Sequence, residues 1–245
     1  MPEWNMINSI EPSAHDPNTC YIAATMYKHG DFNPYLYKTT DMGKTWKKIT
    51  NGIPNEHFTR VVREDPVKKG LLYAGTEVGM YISYDDGNQW YPLQLNLPIV
   101  PITDLALKDN NLIAATQGRS LWMIDDLTVI HQVMEGMDDV TEKLFKPMDS
   151  YRMGGFQRPN PQGEGLNHPG GVMTHFYIKD YDIKTDTIAL VYKDSAGEVI
   201  KKFSTQSKER SDKLTVEDGA NMFSWNLSYP NAKQFDGMIM WAGSM

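Results

Sequence analysis

The sequence predicts an all-β protein: a partial β-propeller of about three four-stranded blades over residues 1–127, then an incomplete immunoglobulin-like β-sandwich over 172–245. Three observations carry that expectation. Short β-type runs ending in threonine recur at Cys20-Tyr21-Ile22-Ala23-Ala24-Thr25, Leu72-Tyr73-Ala74-Gly75-Thr76 and Leu112-Ile113-Ala114-Ala115-Thr116, their threonines 51 and 40 residues apart. A second apolar run with an aromatic follows each (Leu36-Tyr37, Met80-Tyr81, Leu121-Trp122), and then an acidic turn at Asp41, Asp85 and Asp126, spaced 44 and 41 residues. A period near that length, filled with short strands, matches one propeller blade. Finally, residues 152–171 hold six glycines and three prolines, and strand-like alternation resumes beyond them.

In order along the chain, blade one takes strands at Met6 to Glu11, Tyr21 to Met26, Tyr35 to Thr40 and Thr45 to Ile49. Its turns fall at His15-Asp16-Pro17-Asn18 and at Asp41 to Lys44. Blade two repeats the plan from Thr59 to Leu93, with Asp65-Pro66 at the first corner, where proline fixes φ and aspartate can bond the turn backbone. Blade three runs from Ile102 to Leu107, turns at Asp109-Asn110-Asn111, and ends near Leu127. Residues 128–171 read as a connecting segment, with Leu127 to Val133 a short helix or strand and Glu135 to Lys143 polar and ambiguous. The sandwich strands are Val172 to Ile178, Thr187 to Lys193, Glu198 to Ser204, Asp212 to Glu217, Met222 to Asn226 and Gly237 to Trp241, with Asp194-Ser195-Ala196-Gly197 a hairpin turn.

Two of the acidic turns share a longer pattern, Ser/Thr-x-Asp-x-Gly-x-x-Trp, at Thr39 to Trp46 and Ser83 to Trp90. In such a turn the aspartate (Asp41, Asp85) accepts bonds from turn amides, the glycine (Gly43, Gly87) takes a backbone conformation costly to other residues, and the tryptophan (Trp46, Trp90) caps the apolar layer. The pattern is a structural clamp before it is a site. The turn at Asp125-Asp126-Leu127 keeps the acid and loses the Gly-x-x-Trp half, so the third blade is degenerate or marks an exit.

The pattern resembles the Asp-box, or BNR repeat. Together with Tyr35-Leu36-Tyr37-Lys38-Thr39-Thr40-Asp41, Tyr73-Ala74-Gly75-Thr76-Glu77 and Ala115-Thr116-Gln117-Gly118-Arg119-Ser120, the chain is similar to large bacterial BNR-repeat proteins described as glycosyl-hydrolase-like or sortilin-like. The resemblance implies a longer secreted, periplasmic or cell-surface parent and a glycan or protein ligand. On that reading the chain is a C-terminal fragment: roughly four to eight blades close a propeller, and residues 1–127 hold only three. The missing blades then count among its partners.

Composition narrows the chemistry. Net charge is −7, which disfavours a nucleic-acid backbone, and no run reaches the ~20 apolar residues of a membrane-spanning helix. Cys20 stands alone, so no internal disulfide forms, and the histidines lack metal-site spacing; no cofactor or metal is expected. Ligands of a propeller are expected on the rim opposite the Asp-boxes. That rim would carry Tyr27, His29, Arg60, Gln117 and Arg119 as ligand-binding residues, and Asp31, Glu56, Glu77 and Asp104 as carboxylates from which a glycosidase acid and base could be drawn. Three readings remain: a glycan- or protein-binding module, a xyloglucanase- or sialidase-like hydrolase complete only in the parent, or a sortilin-like peptide receptor.

Overall fold

In the computed structural model, residues 1–137, 139–151 and 170–229 are described. The expected strand Gly237 to Trp241 and most of the Gly/Pro-rich stretch lie outside them. The chain divides into two compact units, Met1–Met137 and Asp138–Met245. The segment expected to connect domains at 128–171 is thus shared: its helix clusters with the first unit, and a strand within it pairs in the second.

The first unit is three successive antiparallel meanders. Blade one is β1 (Met6–Pro12), β2 (Cys20–Met26), β3 (Asp31–Thr39) and β4 (Lys47–Lys48), paired in that order. Blade two is β5 (Thr59–Glu64), β6 (Leu72–Thr76), β7 (Met80–Ser83) and β8 (Tyr91–Pro92). Blade three has three strands, β9 (Ile102–Lys108), β10 (Asn111–Thr116) and β11 (Leu121–Ile124). The outer strand expected over Thr45 to Ile49 shrinks to two paired residues, and blade three has no fourth strand among the described residues. Instead the chain turns at Asp126 into α1 (Thr128–Val133). The Asp126 carboxylate accepts bonds from the Thr128 amide at 2.8 Å and the Asn110 side chain at 3.1 Å. Meanders stacked face to face in series are how propeller blades are arranged.

Alternation along each strand feeds two different cores. Leu72, Ala74 and Tyr81 of blade two meet Tyr21, Ala23, Leu36, Ile49 and Ile53 of blade one. Their neighbours in the chain, Tyr73, Met80 and Ile82, meet Ile102, Leu105, Leu112 and Ala114 of blade three. Every residue of β6 and β7 is therefore buried. Gly75 lies at the contact of blades two and three: a Cβ there would sit 2.7 Å from Ile102 of blade three and equally close to Val61 of its own blade.

The register corrects the threonine alignment of the repeats. Cys20 pairs with Thr39 and Leu72 with Ser83, the hydroxyl residues that open the two Asp-box turns. Cys20 thus corresponds to Leu72 and Tyr21 to Tyr73, one residue out of step. The ladder is irregular between Ala24 and Met26, where two steps along β2 face four along β3.

Both Ser/Thr-x-Asp-x-Gly-x-x-Trp turns close on their aspartates. Asp41 accepts the Thr45 amide at 2.9 Å and the Thr39 hydroxyl at 2.8 Å; Asp85 does the same with Gln89 at 2.9 Å and Ser83 at 2.8 Å. Gly43 and Gly87 stand at φ 84° and 81°. The tryptophans differ. Trp90 is fully buried between blades one and two and donates its indole N–H to Ile49 O at 2.7 Å, whereas Trp46 is half-buried and donates back to Gly43 O at 3.1 Å.

The second unit contains a three-stranded sheet, β12 (Glu142–Leu144), β13 (Val172–Ile178) and β16 (Gly219–Trp225), and the hairpin β14 (Ala189–Lys193) and β15 (Val199–Ser204). The hairpin turns where the sequence places it, with Asp194 accepting the Ala196 and Glu198 amides at 2.9 Å. Phe176 and Trp225 of the first sheet share a core with Leu190 and Phe203 of the second. The strand expected over Asp212 to Glu217 is absent: Leu214 and Val216 bury as a strand's inward residues would, yet the segment makes a single bridge, Lys213 with Ser204. Conversely, β12 arises in the stretch whose polarity left it unassigned.

Candidate functional site

On the rim opposite the Asp-boxes, the second-to-third-strand loops of blades one and two meet the segment entering β5. Tyr27, in a 3₁₀ turn over Tyr27–His29, stacks on Phe58 with ring centroids 5.2 Å apart and planes at 15°. Phe32 lies 6.0 Å from Phe58 and is 47% exposed, while Phe58 itself is buried. The Arg60 guanidinium sits 5.4 Å from the Phe58 ring and pairs with Glu77 at 2.5 Å. Backbone ties hold the patch: the Glu77 amide donates to Phe58 O at 3.0 Å. Beside it, His57 Nδ1 lies 2.6 Å from the Tyr81 hydroxyl, on a cleft open to solvent of about 290 Å³ that Gly79, Gln94 and Ile99 also line.

The structure thus gathers Tyr27, Arg60 and Glu77 of the expected set around one residue the sequence reading missed, Phe58. A lone aromatic just before a strand carries no periodic signal; only its place ahead of β5 marks it. His29 and Glu56 are exposed in the same pair of loops, Glu56 at φ 73°. Gln117 and Arg119 are exposed on the blade-three loop, where the Gln117 amide donates to Pro101 O at 2.9 Å as Glu77 does to Phe58.

The four carboxylates differ in what engages them. Asp31 accepts the Tyr35 hydroxyl at 2.6 Å and the Asn33 amide at 3.0 Å, and these bonds hold its pKa below the usual carboxylate value. The same bond, with burial, pushes Tyr35 up to about 12. Glu77 is paired with Arg60. Asp104 and Arg60, expected on the rim, lie within β9 and β5. Asp104 pairs at 2.6 Å with Arg63, whose Nε also donates to Leu105 O at 2.9 Å and whose Nη1 lies 3.6 Å from Glu11. Arg63 therefore ties the first strands of all three blades together. Glu56 is exposed, and no arginine or lysine among the described residues pairs with it. Among the described residues, no three His, Cys, Asp or Glu side chains gather as a metal would require.

Fold and rim together define the class: a mostly β protein whose first unit has the build of consecutive propeller blades with a loop-rim aromatic patch. Among known proteins, two sequences of xyloglucanase Xgh74A from Acetivibrio thermocellus are 33% and 32% identical to it over 95 residues, covering 34% of this chain and 11% of the relative. The chain thus spans about a ninth of the length of the curated relatives it matches. Partial structural similarity extends to an ancestral GH74 enzyme (23% identity, 46% of this chain and 14% of that one, TM-score 0.39). It extends also to the GH74 enzyme of Niastella koreensis (13% identity, 70% and 28%, TM-score 0.40) and to YCF48 bound to D1 peptide (20% identity, 49% and 37%, TM-score 0.37). No family model matches the chain.

Proposed function

We propose that this chain is a glycan-binding propeller module that takes a neutral β-glucan of the xyloglucan type on the Tyr27–Phe32–Phe58 rim. The observation that carries this is the aromatic cluster itself. Phe32 offers an exposed ring beside a buried one, the arrangement on which a pyranose face can stack, and Arg60 and Glu77 supply donors and acceptors at its edge. A neutral sugar suits the rim better than a sialoside, because the Arg60 charge is already met by Glu77. The local identity to a xyloglucanase favours the same polymer class. Binding rather than hydrolysis fits the carboxylates: Glu77 and Asp104 are held by arginines, and Asp31 is held ionised and so is a poor general acid. A protein with this ligand works outside the cytoplasm, in the secreted, periplasmic or surface compartment, and we read its second unit as part of an immunoglobulin-like sandwich.

Calorimetry of the full chain against xyloglucan oligosaccharides tests the reading. Saturable binding is expected, weakened about tenfold or more by Phe32→Ala, with no release of reducing ends. Absence of binding to neutral glucans, or hydrolysis lost on Glu56→Gln, overturns it.

A further inference from the structure

The interface between blades two and three contains a slot that its counterpart between blades one and two fills with Trp90. The correspondence runs residue by residue. Trp90 is buried with Leu36, Ile49, Ile53, Leu72, Ala74 and Tyr81. The matching positions one blade on are Met80, Leu93, Leu97, Leu112, Ala114 and Trp122, and all six line a small apolar cleft of about 40 Å³ that opens to solvent. Backbone bonds fix the match: Ile49 N donates to Leu36 O and Leu93 N to Met80 O, both at 2.9 Å. Ile53 N likewise donates to Thr50 O at 3.1 Å and Leu97 N to Gln94 O at 2.8 Å. Tyr81 pairs with Ala74 as Trp122 pairs with Ala114.

The strand that would bring an indole into this cleft is also lacking. β8 covers the outer edge of β7, whereas β11 ends its sheet with Leu121 and Met123 exposed at 71% and 56%. The chain does not supply the strand locally, since Asp126 and the Leu127 amide bond to Asn110 draw it away into α1.

We propose that this cleft and the β11 edge form a docking site for an extended Trp-x-x-aliphatic segment of another polypeptide. The segment would add as a fourth strand, the manner in which Trp90-Tyr91-Pro92-Leu93 lies on β7. Its indole N–H would meet Leu93 O, as Trp90 meets Ile49 O, and its Trp amide Leu95 O, as Trp90 N meets Asn51 O at 2.9 Å. The next two residues would pair with Met123 and Trp122, and the aliphatic amide would meet Leu121 O. This site is separate from the glycan rim, and the two readings stand or fall independently.

The probe is a synthetic peptide with the sequence of residues 85–94, titrated into the full chain by calorimetry and followed by amide chemical shifts. Saturable binding is expected, with shifts confined to Leu93–Leu97 and Leu121–Ile124 and affinity reduced about tenfold or more when the peptide's tryptophan is alanine. Ala114→Phe, which fills the cleft, is expected to abolish binding; the peptide pair decides the matter even where that variant folds poorly. No saturable binding, equal binding by the alanine peptide, or shifts centred on Phe58 would overturn the proposal.

Discussion

Blades two and three are built from nearly the same strands and end in opposite states. Leu72 and Ala74 correspond to Leu112 and Ala114, and both pairs are buried against the blade before. The residues between them diverge: Tyr73 and Ile82 are fully buried, while their counterparts Ile113 and Met123 are half-buried and exposed. Strand alternation decides which side chains share a face; a neighbouring sheet decides whether that face is dry. Within the first unit, among the described residues, blade two has a neighbour on each side and blade three on one.

The largest expected effect separates the two Asp-box tryptophans. Trp90→Ala empties the seam between blades and should cost about 3–5 kcal/mol, read by urea unfolding; Trp46→Ala, from a half-buried site, should cost under about half as much. Equal losses would break the comparison. A smaller contrast is expected between Leu72→Ala, at about 2–5 kcal/mol, and Ile113→Ala, at about 1 kcal/mol. Leu121→Lys, on the outward face of β11, should shift stability by no more than about 0.5 kcal/mol and should weaken the docking of the Trp-bearing peptide.

The Asp-box turns give a pH signature. The Thr45 hydroxyl and amide bonds hold the Asp41 carboxyl at about 2, below its ordinary value. Its folded value is depressed, so its contribution is present above the unfolded pKa near ~4 and is lost as pH falls through about 2. Asp41→Asn should therefore weaken the fold near neutrality and make little difference near pH 2, measured by thermal unfolding across that range. A pH-independent difference would show that the turn bonds do not depend on the charge.

Much of this was legible in the sequence because turns carry local chemistry. The Asp-x-Gly-x-x-Trp spacing placed both clamps, and the alternation placed most of the strands near their observed positions. The one-residue offset in blade one was not legible: composition does not mark register, and a threonine closes both runs. Long-range polar choices were equally hidden. Nothing near Arg63 in the chain shows that its partners, Glu11 and Asp104, come from β1 and β9. Equally hidden was the burial of Asp65, which accepts the Val67 and Lys68 amides and the Tyr73 hydroxyl at 3.2 Å and lies 2.8 Å from His131 on α1. Leu214 and Val216 mimic a strand because burial alone sets their period, while a ladder needs a partner edge. The aromatic rim was half-visible: Tyr27 and Arg60 stood out, and Phe58 did not.

Native-state hydrogen exchange on the intact chain tests the central contrast most directly. The amides of β6 and β7 should exchange slowest, at the rate of global opening of the first unit, and those of β11 at least about tenfold faster, with β10 between them. Protection of β11 equal to that of β7 would contradict the account, because it would mean that the open face and edge of blade three are covered as fully as those of blade two.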